Sequence, residues 1–73
     1  MKAKIEYVGG MSLESCGVRN YNITIIEGKH EGRVIQKQVI TPKDELGNWS
    51  LGESTYLIEG EWVSQEVLIE KLQ

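Results

Sequence analysis

Residues 55–63 read Thr55-Tyr56-Leu57-Ile58-Glu59-Gly60-Glu61-Trp62-Val63. Two apolar-rich runs flank Glu59-Gly60, and glycine there can take the positive φ that a two-residue hairpin turn demands. With these two as the central turn residues, Ile58 stands opposite Glu61, Leu57 opposite Trp62 and Tyr56 opposite Val63. Opposed residues share a face of the sheet. Tyr56, Ile58, Glu61 and Val63 therefore lie on one side, and Thr55, Leu57, Trp62 and Ser64 on the other. Both sides carry large apolar groups, whereas a sheet with one wet face alternates apolar with polar. Such a hairpin is either covered on both sides by a curled sheet, or it leaves one apolar patch for a partner.

The size of the chain sharpens that alternative. Seventy-three residues make one domain, 1–73. A chain this short buries only about 60% of its unfolded surface and is marginal alone. With one cysteine, Cys16, and one histidine, His30, there is neither an internal disulfide nor a Cys/His zinc site to staple it. Stability must come from sheet packing, helped by self-association. The start Met1-Lys2-Ala3-Lys4-Ile5-Glu6 has no apolar run that reads as a signal peptide or anchor. No window approaches the ~18 apolar residues of a membrane span. A lone thiol fits a reducing, cytoplasmic setting.

The remaining punctuation predicts short strands. Lys2 to Val8 alternates, with Ala3, Ile5 and Tyr7 on one face, and Gly9-Gly10 reads as its end. Met11 and Leu13 fit a short strand or an arm over the core; Ser15-Cys16-Gly17 reads as a turn and Arg19-Asn20 as a second break. Tyr21 to Glu27 and Arg33 to Thr41 form a hairpin around Gly28-Lys29-His30-Glu31-Gly32. The adjacent pairs Val34-Ile35 and Val39-Ile40 interrupt alternation, which a bulge near Gln36–Gln38 would repair while bending the strand. Thr41-Pro42-Lys43-Asp44-Glu45-Leu46-Gly47 has the cap, first-turn proline, early acids and closing glycine of one short helical turn near 42–46. Asn48 to Leu51 is a short strand carrying Trp49. For the tail, Ser64 to Gln73, β-branched Val67 and Ile69 favour a closing strand at 66–70 over one short helix capped by Ser64.

Five or six short, mainly antiparallel strands with turns every 8–12 residues predict an all-β domain, either a small barrel or a strongly curled sheet. The run Tyr56-Leu57-Ile58-Glu59-Gly60-Glu61-Trp62-Val63, followed by Leu68-Ile69-Glu70-Lys71-Leu72, resembles the last hairpin and closing strand of small SH3-like barrels, a form common among bacterial and phage proteins of this size. The resemblance covers about the last third of the chain. It implies a five-stranded barrel and no particular activity.

No enzymatic or metal signature stands out. His30 has no orienting partner in the sequence pattern, Cys16 has no activating one, and the acids are dispersed without a calcium-loop spacing. Gly28-Lys29-His30-Glu31-Gly32-Arg33 lacks the Gly-Lys-Ser/Thr ending of a phosphate loop. Catalytic, cofactor and metal residues are therefore expected to be absent. Charge is asymmetric: residues 1–43 carry seven cations against four acids, and residues 44–73 carry seven acids against Lys71, which makes a net −3. The leading expectation is a protein-binding or self-associating module that buries Leu57 and Trp62, ringed by Glu59, Glu61 and Glu66. Tyr56, Trp49 and Trp62 are at the same time the natural candidates for the core. A second expectation is nucleic-acid binding through Lys29, His30, Arg33 and Lys37, with Tyr7, Tyr21 or Trp49 nearby as stacking aromatics, against which the acidic balance counts. A third is a nucleotide-like small ligand held at an oligomer interface.

Overall fold

The computed structural model describes residues 2–73. Five antiparallel strands lie side by side in chain order: β1 (Ala3–Ser12), β2 (Cys16–Ile25), β3 (Val34–Pro42), β4 (Glu53–Ile58) and β5 (Glu61–Val63). A single helix, α1 (Gln65–Lys71), follows. The all-β expectation holds in this form, one open antiparallel sheet with one short helix. β1 and β5 are its two edges, and no pairing joins them among the described residues, so closure into a barrel is not seen.

The β4–β5 hairpin has the register its sequence predicts, with Tyr56 opposite Val63, Leu57 opposite Trp62 and Ile58 opposite Glu61. Glu59 and Gly60 both take positive φ, 53° and 81°, which gives the turn a twist matching that of the strands. Following the pairs across the sheet defines its two faces. Tyr7, Tyr21, Lys37, Tyr56 and Val63 form one row, and Glu6, Asn22, Gln36, Leu57 and Trp62 form the next, on the opposite face.

The core is confined to one end of the first face. Ile25, Ile35, Tyr56 and Ile58 are buried there beneath Leu68 and Leu72 of the helical segment, with Ile23 and Val63 packed alongside. This is the helix face; the other is the open face. Seven helical residues span only about 10 Å, and the molecule measures 46 × 21 × 20 Å. The helix therefore covers one end of the sheet and leaves the other a single layer.

The tail departs from the predicted strand. Alternation would bury Val67 and Ile69, but both are exposed, while Leu68 and Leu72, four residues apart, are buried. That spacing puts both leucines on one helical face. The Ser64 hydroxyl caps the helix by accepting from the Val67 N–H at 3.4 Å, Glu66 lies in the first turn and Lys71 in the last. Together with leucine burial, these features outweigh the β propensity of two residues. Ser64→Ala is expected to cost about 1 kcal/mol, measured as a lower midpoint in urea.

Further expectations are corrected, among them the strand at Asn48 to Leu51, of which only the bridge at Trp49 forms. Gly9-Gly10 does not end β1, and Ser15-Cys16-Gly17 is not the turn. β1 runs on to Ser12, the turn is 13–15, and β2 passes without a break through Arg19-Asn20. The bulge expected in β3 is absent, since Cys16 through Thr24 pairs continuously with Pro42 through Val34. Each adjacent apolar pair in β3 is instead split between the faces, with Ile35 and Val39 on the helix face and Val34 and Ile40 on the open one. The bulge sits in β1 at Val8, between Tyr7 and Gly9, where Gly9 takes φ 142°. The helical turn near 42–46 is replaced by a small hairpin. Thr41 and Pro42 belong to β3, Lys43 bridges Trp49, and the Asp44 carboxylate accepts from the Leu46 and Asn48 N–H groups at 2.9 Å each. One isolated helical turn fixes many dihedrals for a single bond, so a ladder extension plus a side-chain-stabilised turn prevails.

Candidate functional site

The Leu57–Trp62 pair stands at a corner of the open face. Trp62 is 48% exposed and Leu57 is half-buried, while the opposite side of the same hairpin is sealed by α1. The hairpin's two apolar faces are thus resolved unequally. The rest of this chain covers Tyr56, Ile58 and Val63 and leaves Trp62 in water. Of the three acids expected around it, Glu61 lies opposite Ile58 on the helix face. Glu59 accepts from Lys71 Nζ at 3.2 Å and lies 3.9 Å from the Arg33 guanidinium. Glu66 is exposed in the first turn of α1. These ion pairs are solvated, so each contributes no more than about 1 kcal/mol.

The four residues of the basic alternative do not converge. Lys29 is exposed in the β2–β3 loop. His30 donates through Nε2 to the Leu72 carbonyl at 2.9 Å; a carbonyl only accepts, so that nitrogen carries the proton. Arg33 faces Glu59. Lys37 belongs to the helix face, where its ammonium lies 5.9 Å from the Tyr21 ring centroid and 5.7 Å from that of Tyr56. Two of the four thus tie the loop and hairpin to the helix end rather than lining a groove.

At the uncovered end of the helix face a different set comes together. Tyr7 meets Tyr21 edge to face at 5.6 Å between centroids. Trp49 lies over the backbone of Gly17, where an added Cβ would stand 3.0 Å from its ring atoms. Lys43 holds its ammonium 4.5 Å from the Trp49 ring centroid. Between Tyr7 and Trp49 opens a shallow cleft of ≈ 290 Å³ that Arg19 also lines. A neighbouring hollow of ≈ 230 Å³ shares Gly17, Arg19 and Trp49 with it. No protein-family model matches the chain, and neither does a curated protein or a solved structure.

Sequence reasoning named Tyr7, Tyr21 and Trp49 as aromatics beside the basic hairpin but missed their company with Arg19 and Lys43, because Gly9-Gly10 and Arg19-Asn20 read as breaks. The clue was the alternation continuing past them, Arg19, Tyr21 and Ile23 on one side. Among the described residues, no group of three or more His, Cys, Asp or Glu is placed to hold a metal ion. Cys16 is half-buried at the start of β2, opposite Pro42. Among the described residues, no helix is long and apolar enough to cross a membrane.

Proposed function

We propose that the protein is a non-enzymatic interaction module whose working form is an assembly, with a second copy covering the open face around Leu57 and Trp62. The observation that supports this is the surface left over. The chain exposes 5396 Å², whereas a compact monomer of 8.3 kDa exposes roughly 4,600 Å². The excess, about 800 Å², is what one partner contributes to an interface of standard size. The radius of gyration, 14.0 Å, exceeds the ~11 Å of a compact domain of this length.

The open face has the make-up of an interface. Trp62, Leu57 and Val34 supply apolar anchors at one end, and Met11, Val18 and Ile40 at the other. Asn22 and Gln36 share the row of Leu57 and Trp62, and the next row carries Asn20, Gln38 and Thr55, with Gln38 donating to Asn20 at 3.2 Å. Such amides can hydrogen-bond across a sheet-on-sheet contact, and the charged residues of this face, Lys4, Glu6 and Glu53, lie on edge strand β1 and at the start of β4. A tryptophan on a rigid hairpin anchors binding at little entropic cost.

Sedimentation equilibrium tests this reading. The wild-type chain is expected to associate at micromolar concentration, and Trp62→Lys to weaken association by about 2 kcal/mol, roughly thirtyfold. A wild-type chain that stays monomeric to millimolar concentration would contradict it.

A further inference from the structure

The uncovered end of the helix face carries a second, independent property. Its strand rows bring together three aromatic rings, Tyr7, Tyr21 and Trp49, and three cations, Arg19, Lys37 and Lys43. No acid belongs to those rows. Glu14, Asp44 and Glu45 sit in the flanking turns, and Glu53 pairs with Ile40 on the open face. Among the described residues, the ion pairs are those of Glu59 with Arg33 and Lys71, so Arg19 and Lys43 face solvent without an acidic partner. The cations are thus confined to the strand rows, and the three acids of this end stand outside them in the turns.

The geometry favours a flat, anionic guest. The cleft floor includes two glycines. An added Cβ at Gly10 would collide with the Val18 carbonyl and stand 3.2 Å from the Tyr7 hydroxyl, and Gly17 lies under Trp49. The missing side chains let the two strands and the Trp49 ring approach closely, which shapes the cleft between Tyr7 and Trp49. Tyr7 and Trp49 are 59% and 54% exposed; Gly17 lies against the Trp49 ring and the Lys43 ammonium lies over it, so a guest ring would stack there by displacing Lys43 toward its own anion. Arg19 lines both hollows, placing a guanidinium beside any ring bound there. Stacking surfaces next to unpaired cations are how single-stranded nucleic acids and nucleotides are held without sequence readout.

We propose that this end of the sheet binds a nucleobase with its phosphate, the base between Tyr7 and Trp49 and the phosphate on Arg19 and Lys43. This site is separate from the Trp62 face. It takes either a free nucleotide or one unit of a single strand. The shared chemistry is the ring and its anion, and the two sources are separated by experiment.

The test uses the full chain with Trp62→Phe, so that Trp49 alone reports, titrated at 50 mM salt (about the low end of the usual range) with mononucleotides and with a twelve-residue oligothymidylate. Saturable quenching is expected, by mononucleotides if the ligand is free and by the oligomer alone if it is a strand. Arg19→Glu, and independently Lys43→Glu, should weaken binding at least about tenfold and reduce its salt dependence. Arg19 is exposed and Lys43 half-buried beside Trp49, and circular dichroism checks that the sheet is intact. Trp62→Lys, which removes the proposed self-association, should leave binding unchanged. Absence of quenching by every probe, or affinity indifferent to both charge reversals, would overturn the proposal.

Discussion

Replacing Ile35 with alanine is expected to unfold most of the molecule under mild denaturant. Ile35 is 2% exposed at the centre of the only buried cluster among the described residues, between Ile25, Ile58 and the helix leucines. Removing three carbons there sacrifices transfer free energy and opens a cavity, together about 2–5 kcal/mol. A domain that buries six large side chains has little stability to lose, since even ordinary domains hold only about 5–15 kcal/mol. Ile40→Ala is the internal comparison. It removes the same atoms from the same strand, but Ile40 lies on the open face and is 40% exposed. Its loss should cost less than about 1 kcal/mol in the dilute monomer. Equal effects of the two in urea denaturation would show that the core does not lie on the helix face.

Gly10→Ala is expected to have the second large effect, through the backbone. The new methyl would collide with the Val18 carbonyl oxygen across the β1–β2 ladder, and main chain cannot swing aside as a flexible side chain does. The strands must part beyond the Val8 bulge, at a cost above about 1 kcal/mol. Met11 and Val18 pair just past this point, so their amides should lose protection from hydrogen exchange while Ile35 and Tyr56 keep theirs. Unchanged protection at Met11 and Val18 would contradict the register assigned to the far half of β1. Because Tyr7 and Arg19 flank Gly10, the same substitution should also weaken nucleotide binding at the cleft.

The parts of the fold that were legible in the sequence rest on local signals. Glu59-Gly60 determines its own turn and thereby the pairing of three residues on each side. Gly28 and Gly32 mark the loop between β2 and β3 in the same way. The misread parts are those where a local signal met a tertiary preference. Thr41-Pro42 with early acids looks like a helix start, yet extending β3 satisfies more backbone groups than a lone turn. Val67 and Ile69 look like strand residues, yet the four-residue spacing of Leu68 and Leu72 decides the tail because only those two leucines find a core. Gly9-Gly10 looks like a terminator, while here one glycine relaxes a bulge and the other lets two backbones approach. The aromatics Tyr7, Tyr21 and Trp49 were legible as a set, but their cleft with Arg19 was not, since it forms where β1 and β2 continue past residues that read as breaks.

The two faces of the hairpin also explain why the chain is so exposed. A helix of seven residues seals one face at one end, and among the described residues no element covers the other face. Edge β1 is long, but its bulge and the lysines at positions 2 and 4 discourage indiscriminate strand addition. Association is therefore expected through the open face rather than along the edge.

Acrylamide quenching of Trp62 alone, in a Trp49→Phe chain followed across protein concentration, tests this most directly. Trp62 should be freely quenched in the dilute monomer and become shielded as the sedimenting mass rises. A chain that remains monomeric with Trp62 already shielded, or that associates with Trp62 still fully accessible, would contradict the assignment of the open face as the interface.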